Sequence, residues 1–122
     1  MINIIQVGYG YWGANVAKNI MASKMINLQA ICDISEQSLD KAKVLYTNNV
    51  EYSIDYRSYL TKSEIDAFAI VIQTEPSFEI ALDVLNAGKH LFIEKPMAIN
   101  ADRASEICKL AKKKDLLFIV II

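Results

Sequence analysis

Short apolar runs alternate along the chain with stretches in which apolar residues recur every three or four positions. The runs predict strands and the longer stretches predict helices. Such alternation is typical of an α/β fold, because parallel strands need a crossover between them and a helix usually supplies it. We therefore predict a doubly wound parallel sheet of six strands with helices on both faces. The predicted strands are residues 2–7, 28–32, 50–52, 65–72, 91–93 and 116–122.

The helices are predicted from their end signals as well as from periodicity. The first covers residues 11–21, and a brief one covers 56–60. Ser35 and Asn100 cap two others. Another begins at Pro76 and ends at Gly88. Each helix of normal length has an apolar face that we expect to be buried. The predicted inward residues are Val16, Ala17, Ile20 and Met21; Leu39, Ala42, Val44 and Leu45; Ile80, Ala81, Val84 and Leu85; and Ala101, Ala104, Ile107, Cys108 and Ala111.

A G-x-G-x-x-G motif at residues 8–13 joins the first predicted strand to the first predicted helix. A glycine at position 8 permits a tight turn that a side chain would forbid. Gly10, having no Cβ, would let a phosphate approach the main chain, and Gly13 would let the helix lie close to the strand. The motif by itself carries little weight, but its position after a strand and before a helix is the one a dinucleotide site requires.

Asp33 follows the second predicted strand, twenty residues beyond Gly13. Strand, glycine turn, helix and acid together form the fingerprint of a Rossmann βαβ unit. The amides of Tyr11 and Trp12 would face the pyrophosphate, and the Asp33 carboxylate would accept hydrogen bonds from the ribose. Asp33 would repel a 2′-phosphate and Ile34 supplies no cation, so we predict NAD rather than NADP as the cofactor. The alternative is a glycine turn and an acidic helix start that bind nothing.

Composition excludes several classes of function. The chain has 122 residues, of which 53% are hydrophobic, so it can bury one core and is not disordered. A net charge of -1 argues against nucleic-acid binding, and no apolar run approaches the ~20 residues of a membrane span. Cys32 and Cys108 both lie in apolar patterns without C-x-x-C spacing, so we expect two reduced core cysteines, no metal site and a cytoplasmic location.

A second cluster of polar residues follows the fifth predicted strand, as Glu94-Lys95-Pro96. The carboxyl ends of parallel strands are where open α/β sheets bind ligands. A lysine there can contact a substrate hydroxyl or carboxylate, and desolvation can bring its pKa toward a range useful for proton transfer. A surface lysine before a turn proline explains the same residues equally well.

These blocks together resemble the glucose–fructose oxidoreductase, inositol dehydrogenase and rhizopine-catabolism (Gfo/Idh/MocA) oxidoreductases. The resemblance covers the whole chain and depends on the glycine motif, Cys32-Asp33, Ile65-Asp66, and the segment from Ala87-Gly88-Lys89-His90 to Glu94-Lys95-Pro96. It implies a cofactor-binding Rossmann domain and a hydride transfer between a nicotinamide cofactor and a sugar, cyclitol or nucleotide-sugar hydroxyl. By that resemblance Lys95 contacts the reacting hydroxyl and is the predicted catalytic residue, while Thr74, Glu94, Lys95 and Pro96 also border the cofactor.

Two departures from the family pattern change the expectations. The segment 74–79 lacks the histidine usual after the fourth strand, which puts the nicotinamide side of the site in doubt. Family members are roughly two or three times as long, with a second α/β domain of ordinary size. We therefore expect a single Rossmann domain over 1–122, no C-terminal substrate domain, and no dehydrogenase activity of this chain alone. A non-catalytic dinucleotide-binding module, or a truncated remnant, is the alternative.

The same reasoning predicts self-association. An exposed apolar surface where a second domain would lie, together with a terminal strand at the sheet edge, favours pairing with another copy. The apolar helix residues Ile80, Val84 and Leu85 and the strand 116–122 are the expected contributors, so we expect a homo-oligomer.

Overall fold

The computed structural model describes residues 1–72, 75–94 and 100–121. It contains six strands, four α-helices and one short 3-10 helix. The strands are β1 (Ile2–Val7), β2 (Ile26–Cys32), β3 (Glu51–Ser53), β4 (Ala67–Ile70), β5 (His90–Glu94) and β6 (Phe118–Ile121). The helices are α1 (Tyr11–Ala22), α2 (Glu36–Leu45), α3 (Pro76–Asn86) and α4 (Ala101–Lys113), and the 3-10 helix is Tyr56–Tyr59.

The strands form one parallel sheet in the order β3-β2-β1-β4-β5-β6. This is the doubly wound order in which the chain begins in the middle, builds outward to one edge and returns to build the other. The predicted α/β fold with six parallel strands is therefore confirmed. The direction of winding reverses between β1 and β4, and the crevice beyond the carboxyl ends of these two strands is where such sheets bind ligands.

Helices cover both faces of the sheet, and each face has its own core. On one face α1 and α2 bury Ala17, Ile20, Leu39 and Ala42 against the sheet. On the other face α3 and α4 do the same, and the 3-10 helix adds Tyr59. The predicted inner face of α3 is confirmed, since its four apolar residues are all buried. These residues are Ile80, Ala81, Val84 and Leu85.

The predicted helix ends are also confirmed. The Ser35 hydroxyl accepts a hydrogen bond from the Ser38 amide at 3.3 Å, and the Asn100 side chain accepts one from the Arg103 amide at 2.9 Å. Pro76 is the first residue of α3, where its missing amide costs nothing. Gly88 follows α3 with φ +79°, the left-handed conformation that ends many helices.

Three helix faces differ from the prediction. Met21 on α1 is exposed, as are Val44 and Leu45 in the last turn of α2, whose neighbouring strand β3 has only three residues and offers little to pack against. On α4 the buried residues are Ile107 and Ala111, with Ala104 half-buried.

The remaining inward residues predicted for α4, Ala101 and Cys108, are exposed. Cys108 lies about 100° around the helix from Ile107, outside the buried stripe. The interpretation of both cysteines as core residues is therefore correct for Cys32 and wrong for Cys108.

The strand limits shift by a few residues from the prediction. β4 and β6 are each shorter than the apolar runs that contain them, while β2 and β5 are longer. The residues before β4 form a loop fastened by Lys89, whose buried ammonium group donates hydrogen bonds to the carbonyls of Lys62 (2.7 Å) and Ile65 (2.8 Å). Among the described residues, no helix is long and apolar enough to cross a membrane.

Candidate functional site

A cleft of about 680 Å³ opens at the carboxyl ends of β1, β2 and β4, at the reversal of winding. The six predicted cofactor residues that precede β4 all border it. They are Gly8, Gly10, Tyr11, Trp12, Gly13 and Asp33. The cleft continues along Ile34, Ile54 and the 3-10 helix on one side and along Val71, Ile72 and the start of α3 on the other. The fold thus brings together residues that are distant in sequence.

Two of the three glycines in the turn are required by the protein itself. Gly8 has φ +106°, and a Cβ there would lie 2.4 Å from the Val71 carbonyl oxygen. A Cβ on Gly13 would lie 2.5 Å from the Gly8 carbonyl oxygen, so α1 crosses the turn at a distance that only glycine permits. The tight turn and the close helix approach inferred from the sequence are both present.

Gly10 differs from the other two, because no atom of the described residues requires a glycine there. Its φ is −81°, and a Cβ built on it would meet nothing within 4 Å in that part of the chain. Gly10 also borders the cleft. A glycine kept beside open space, between two glycines fixed by close contacts, fits a ligand that approaches the main chain at this point.

The amino end of α1 points its free amides at the same space. The first intrahelical bond joins the Ala14 amide to the Gly10 carbonyl, so the amides of Tyr11, Trp12 and Gly13 have no acceptor within the helix. No side chain caps Gly10 and no acidic residue lies in the first turn. Among the described residues nothing therefore compensates the helix dipole at this end, which favours an anion such as a phosphate group.

Asp33 is held in place by the backbone around it. One carboxylate oxygen accepts a hydrogen bond from the Tyr9 amide at 2.7 Å, and the other accepts one from the Ser35 amide at 2.8 Å. Each oxygen keeps a further lone pair for a ligand hydroxyl. Asp33 therefore has a structural task that the sequence did not reveal, since it ties the glycine turn to the end of β2.

The wall beyond β3 was not predicted from the sequence. Arg57 lies on the 3-10 helix, 4.0 Å from the Asp55 carboxylate and over the Tyr56 ring. The Tyr56 hydroxyl donates a hydrogen bond to Asp83 on α3 at 2.6 Å, and burial together with this bond raises the pKa of Tyr56 to about 12. Tyr56 thus stays neutral near pH 7 and joins the 3-10 helix to α3.

Negative charge predominates among the described residues around the cleft. Among the described residues that border it, Asp33, Asp55 and Glu79 carry carboxylates and Arg57 carries the one guanidinium. Cys32 borders the cleft as well, but it is buried, and burial raises the pKa of its thiol to about 12. The thiol is therefore protonated near neutral pH and is not a ready nucleophile.

The aromatic residues of the turn differ in burial. Tyr9 is buried in the core on the side of α1 and α2, and it also borders the cleft. Tyr11 and Trp12 lie on the first turn of α1, edge to face with ring centroids 5.3 Å apart, and their side chains are largely exposed. His90, which sequence position predicts to be structural, begins β5 at the opposite end of the sheet, and its Nδ1 accepts a hydrogen bond from the Leu117 amide.

Of the four remaining predicted site residues, only Glu94 lies in the described part of the chain. Glu94 ends β5, pairs with Ile121 and is half-buried, and it is not among the described residues that border the cleft. Thr74, Lys95 and Pro96 lie outside the described residues, so their predicted roles rest on the sequence alone.

A family model described as the oxidoreductase family with NAD-binding Rossmann fold, GFO_IDH_MocA, matches residues 2–122. The chain belongs to this family. The resemblance seen in the sequence is thereby confirmed, and with it the Rossmann domain and NAD as the cofactor that the Gfo/Idh/MocA fold binds. This match also agrees with the geometry of the cleft, where an uncapped helix end and Gly10 face open space.

Solved structures share the fold across nearly the whole chain, and a curated protein matches most of it in sequence. The scyllo-inositol dehydrogenase of Lactobacillus casei, solved with NAD(H) and scyllo-inositol, is 29% identical with a TM-score of 0.85. An alpha-N-acetylgalactosaminidase of Shewanella oneidensis is 26% identical over 118 residues, which is 88% of this chain. GenD2 from gentamicin A biosynthesis, in complex with NAD, has a TM-score of 0.90 at 17% identity, which shows the fold alone.

The match covers only part of each relative. It includes 98% of this chain but 36% of the scyllo-inositol dehydrogenase and 34% of GenD2. For the alpha-N-acetylgalactosaminidase the covered share is 25%. The chain thus spans a quarter to about a third of the length of these relatives.

Proposed function

We propose that the cleft binds NAD as the cofactor of an oxidoreductase that acts on a carbohydrate-like hydroxyl. In this arrangement the pyrophosphate lies over Gly10 at the amino end of α1, and the adenosine ribose lies against Asp33. The observation that carries the proposal is the contrast among the glycines. Gly8 and Gly13 are explained by contacts within the protein, whereas beside Gly10 the described residues leave open space that a ligand can occupy.

The chain contributes binding and orientation. The amides of Tyr11, Trp12 and Gly13 donate hydrogen bonds to phosphate oxygens, and the Asp33 carboxylate accepts them from the ribose hydroxyls. Ile34 and Ile54 give the adenosine end of the cleft apolar walls. Bound there, the nicotinamide ring supplies the site that accepts or returns a hydride.

The reaction itself is proposed for the protein as a whole. Related enzymes include a scyllo-inositol dehydrogenase and an alpha-N-acetylgalactosaminidase, whose names both indicate a polyhydroxylated ring. A carbinol of this kind must lose a hydroxyl proton as its carbon loses hydride. By resemblance to the family, Lys95 is the residue proposed to contact that hydroxyl and help the proton leave. Substrate positioning needs further residues, since positioning accounts for about 7–11 kcal/mol of a barrier in favourable cases.

The first test is a titration with NAD and NADP, followed by fluorescence or calorimetry. We expect NAD to bind at least about tenfold more tightly, because Asp33 would face the extra phosphate of NADP with like charge. Asp33→Ala should weaken NAD binding and narrow the difference between the affinities for NAD and NADP. Asp33→Asn removes the charge and keeps one oxygen, which can accept from the Tyr9 amide or the Ser35 amide but not from both, so it should narrow the difference between the NAD and NADP affinities with a smaller loss of NAD affinity than Asp33→Ala.

Glu79→Gln is the matched control, because it removes one carboxylate from α3, on the opposite wall of the same cleft. This variant should leave the ratio of the two affinities within about twofold of the unmodified protein. Tighter binding of NADP than of NAD by the unmodified chain would contradict the assignment to Asp33. Absence of NAD binding at millimolar concentration would contradict the proposed function.

We also propose that the chain pairs with a second copy through β6. The surface expected from α3 does not exist, because Ile80, Val84 and Leu85 are buried. β6 is the outer strand of the sheet, with Ile119 40% and Val120 37% exposed. Unpaired edges of this kind favour pairing between chains.

Light scattering at micromolar concentration should give at least a dimer mass, and Ile119→Lys should return the monomer. A monomer mass that persists on concentration would contradict the idea.

A further inference from the structure

Gln6 is a polar residue in the central strand of an otherwise apolar core. It lies in β1 between Ile5 and Val7, and its side chain is completely buried. Its side-chain nitrogen Nε2 donates two hydrogen bonds, to the Gly8 carbonyl oxygen at 2.9 Å and to the Gly13 carbonyl oxygen at 2.7 Å. The first and the last glycine of the turn are thus joined through one amide group.

The carbonyl oxygen of the same side-chain amide is in an energetically unfavourable position. This oxygen, Oε1, is buried and has no hydrogen-bond partner among the described residues. An apolar side chain of similar size would fill this position without an unsatisfied acceptor, and burial of a polar group without a partner is unfavourable. The benefit of Gln6 must therefore come from its two donated bonds, both of which end on the glycine turn.

Those bonds fix the orientation of two peptide groups. In a trans peptide the carbonyl and the following amide point in opposite directions. The Gly8 carbonyl points to Gln6, and the Tyr9 amide of the same peptide points to the Asp33 carboxylate at 2.7 Å. Gln6 and Asp33 therefore hold this one peptide group from its two sides.

The second peptide group lies at the start of α1. The Gly13 carbonyl accepts the other Gln6 bond, and the Ala14 amide that follows it donates to the Gly10 carbonyl. The carbonyl oxygens of Gly8 and Gly13 converge on one point and would repel each other without a donor between them. The Gln6 Nε2 group is that donor. The Gly10 main chain is thereby held between two fixed peptide groups.

We infer that Gln6 is a positioning residue that orients the glycine turn for a ligand carrying a pyrophosphate. This inference rests on the proposed binding of NAD. Gln6 itself is buried and does not border the cleft, so it acts only through the orientation of the turn. Loss of its two bonds should impair the grip on the pyrophosphate and spare the adenosine end of the cleft.

The test compares two ligands on two variants. Gln6→Met keeps the length of the side chain and removes both donors, while Ile4→Val, a buried residue of the same strand, removes one methylene away from the turn. With ADP-ribose we expect Gln6→Met to raise the dissociation constant about tenfold, as the loss of two hydrogen bonds predicts. With adenosine, measured by NMR titration, the constant should stay within about twofold, and Ile4→Val should leave both constants within the same limit.

Equal weakening of adenosine and ADP-ribose by Gln6→Met, or no change in either, would overturn the inference. Failure of the unmodified protein to bind NAD would instead overturn the proposed function, so the two failures are distinguishable. If Gln6→Met does not fold, the unmodified protein still gives an answer. The Gln6 side-chain amide signals should exchange slowly with solvent and should shift with ADP-ribose but not with adenosine. Exchange as fast as that of an exposed amide would contradict the two bonds.

Discussion

Gly8→Ala is expected to reduce the free energy of unfolding by about 3 kcal/mol or more, which for a chain of this size can abolish folding. Two effects combine in this variant. Alanine is strained at φ +106°, and its Cβ would lie 2.4 Å from the Val71 carbonyl oxygen, which belongs to the backbone and cannot turn away. Urea denaturation followed by circular dichroism measures the change.

Gly88→Ala separates the two effects. Gly88 also has a positive φ, +79°, but a Cβ there would meet nothing within 4 Å. Strain without a clash should cost about 1 kcal/mol. If Gly8→Ala were no more destabilising than Gly88→Ala, the contact between the glycine turn and the end of β4 would not be as close as described.

Gly10→Ala should give the opposite combination, a stable protein with a much weaker affinity for NAD. Because no atom of the described residues lies within 4 Å of the added Cβ and φ is −81°, the free energy of unfolding should change by less than about 0.5 kcal/mol. The same methyl group would occupy the space where the pyrophosphate must approach the amides of α1. Loss of two or three charge-assisted hydrogen bonds predicts at least about a 100-fold weaker affinity for NAD.

Calorimetric titration and urea denaturation of the same preparation measure both quantities. Adenosine provides the internal control for Gly10→Ala, because its contacts lie toward Asp33 and should persist. Retention of NAD affinity by a folded Gly10→Ala protein would mean that the pyrophosphate does not pass over residue 10. The site would then have to be redrawn around another part of the cleft.

The fold could be predicted because each βα unit carries local signals of its own. The helix ends are marked by residues whose own chemistry starts or stops a helix, so they can be recognised without knowledge of the rest of the chain. These residues are Pro76, Gly88, Ser35 and Asn100. The wrong predictions concern helix faces whose burial depends on the strand that lies beneath them. Periodicity gives the side of α2 that bears Val44 and Leu45, but it does not reveal that β3 is too short to cover them.

The residues of the candidate site also divide into those with a local sequence signal and those whose contacts depend on the folded arrangement. The glycines and Asp33 stand out in the sequence because their spacing follows the tight turn between β1 and α1 and the end of β2, where Gly8 and Gly13 are fixed by close contacts and Asp33 accepts a hydrogen bond from the Tyr9 amide. Gln6 and Arg57 were missed because their roles arise from the folded arrangement, and one of them is joined to a residue seven positions away through a side-chain bond. A polar residue inside an apolar strand, directly before a glycine turn, was the available signal for Gln6.

The position of the cleft between β1 and β4 also has a consequence for folding kinetics. β1 is the first strand, and its pairing with β4 joins Ile4 to Ala67 and Val7 to Ile70, across about half of the chain. Closing so large a loop is entropically costly, and chains rich in such distant pairings fold slowly. The ligand crevice cannot exist before the amino-terminal β1–β3 half and the carboxyl-terminal β4–β6 half have docked. During refolding, the appearance of NAD binding should therefore follow the recovery of helical circular dichroism and report the docking of the two halves.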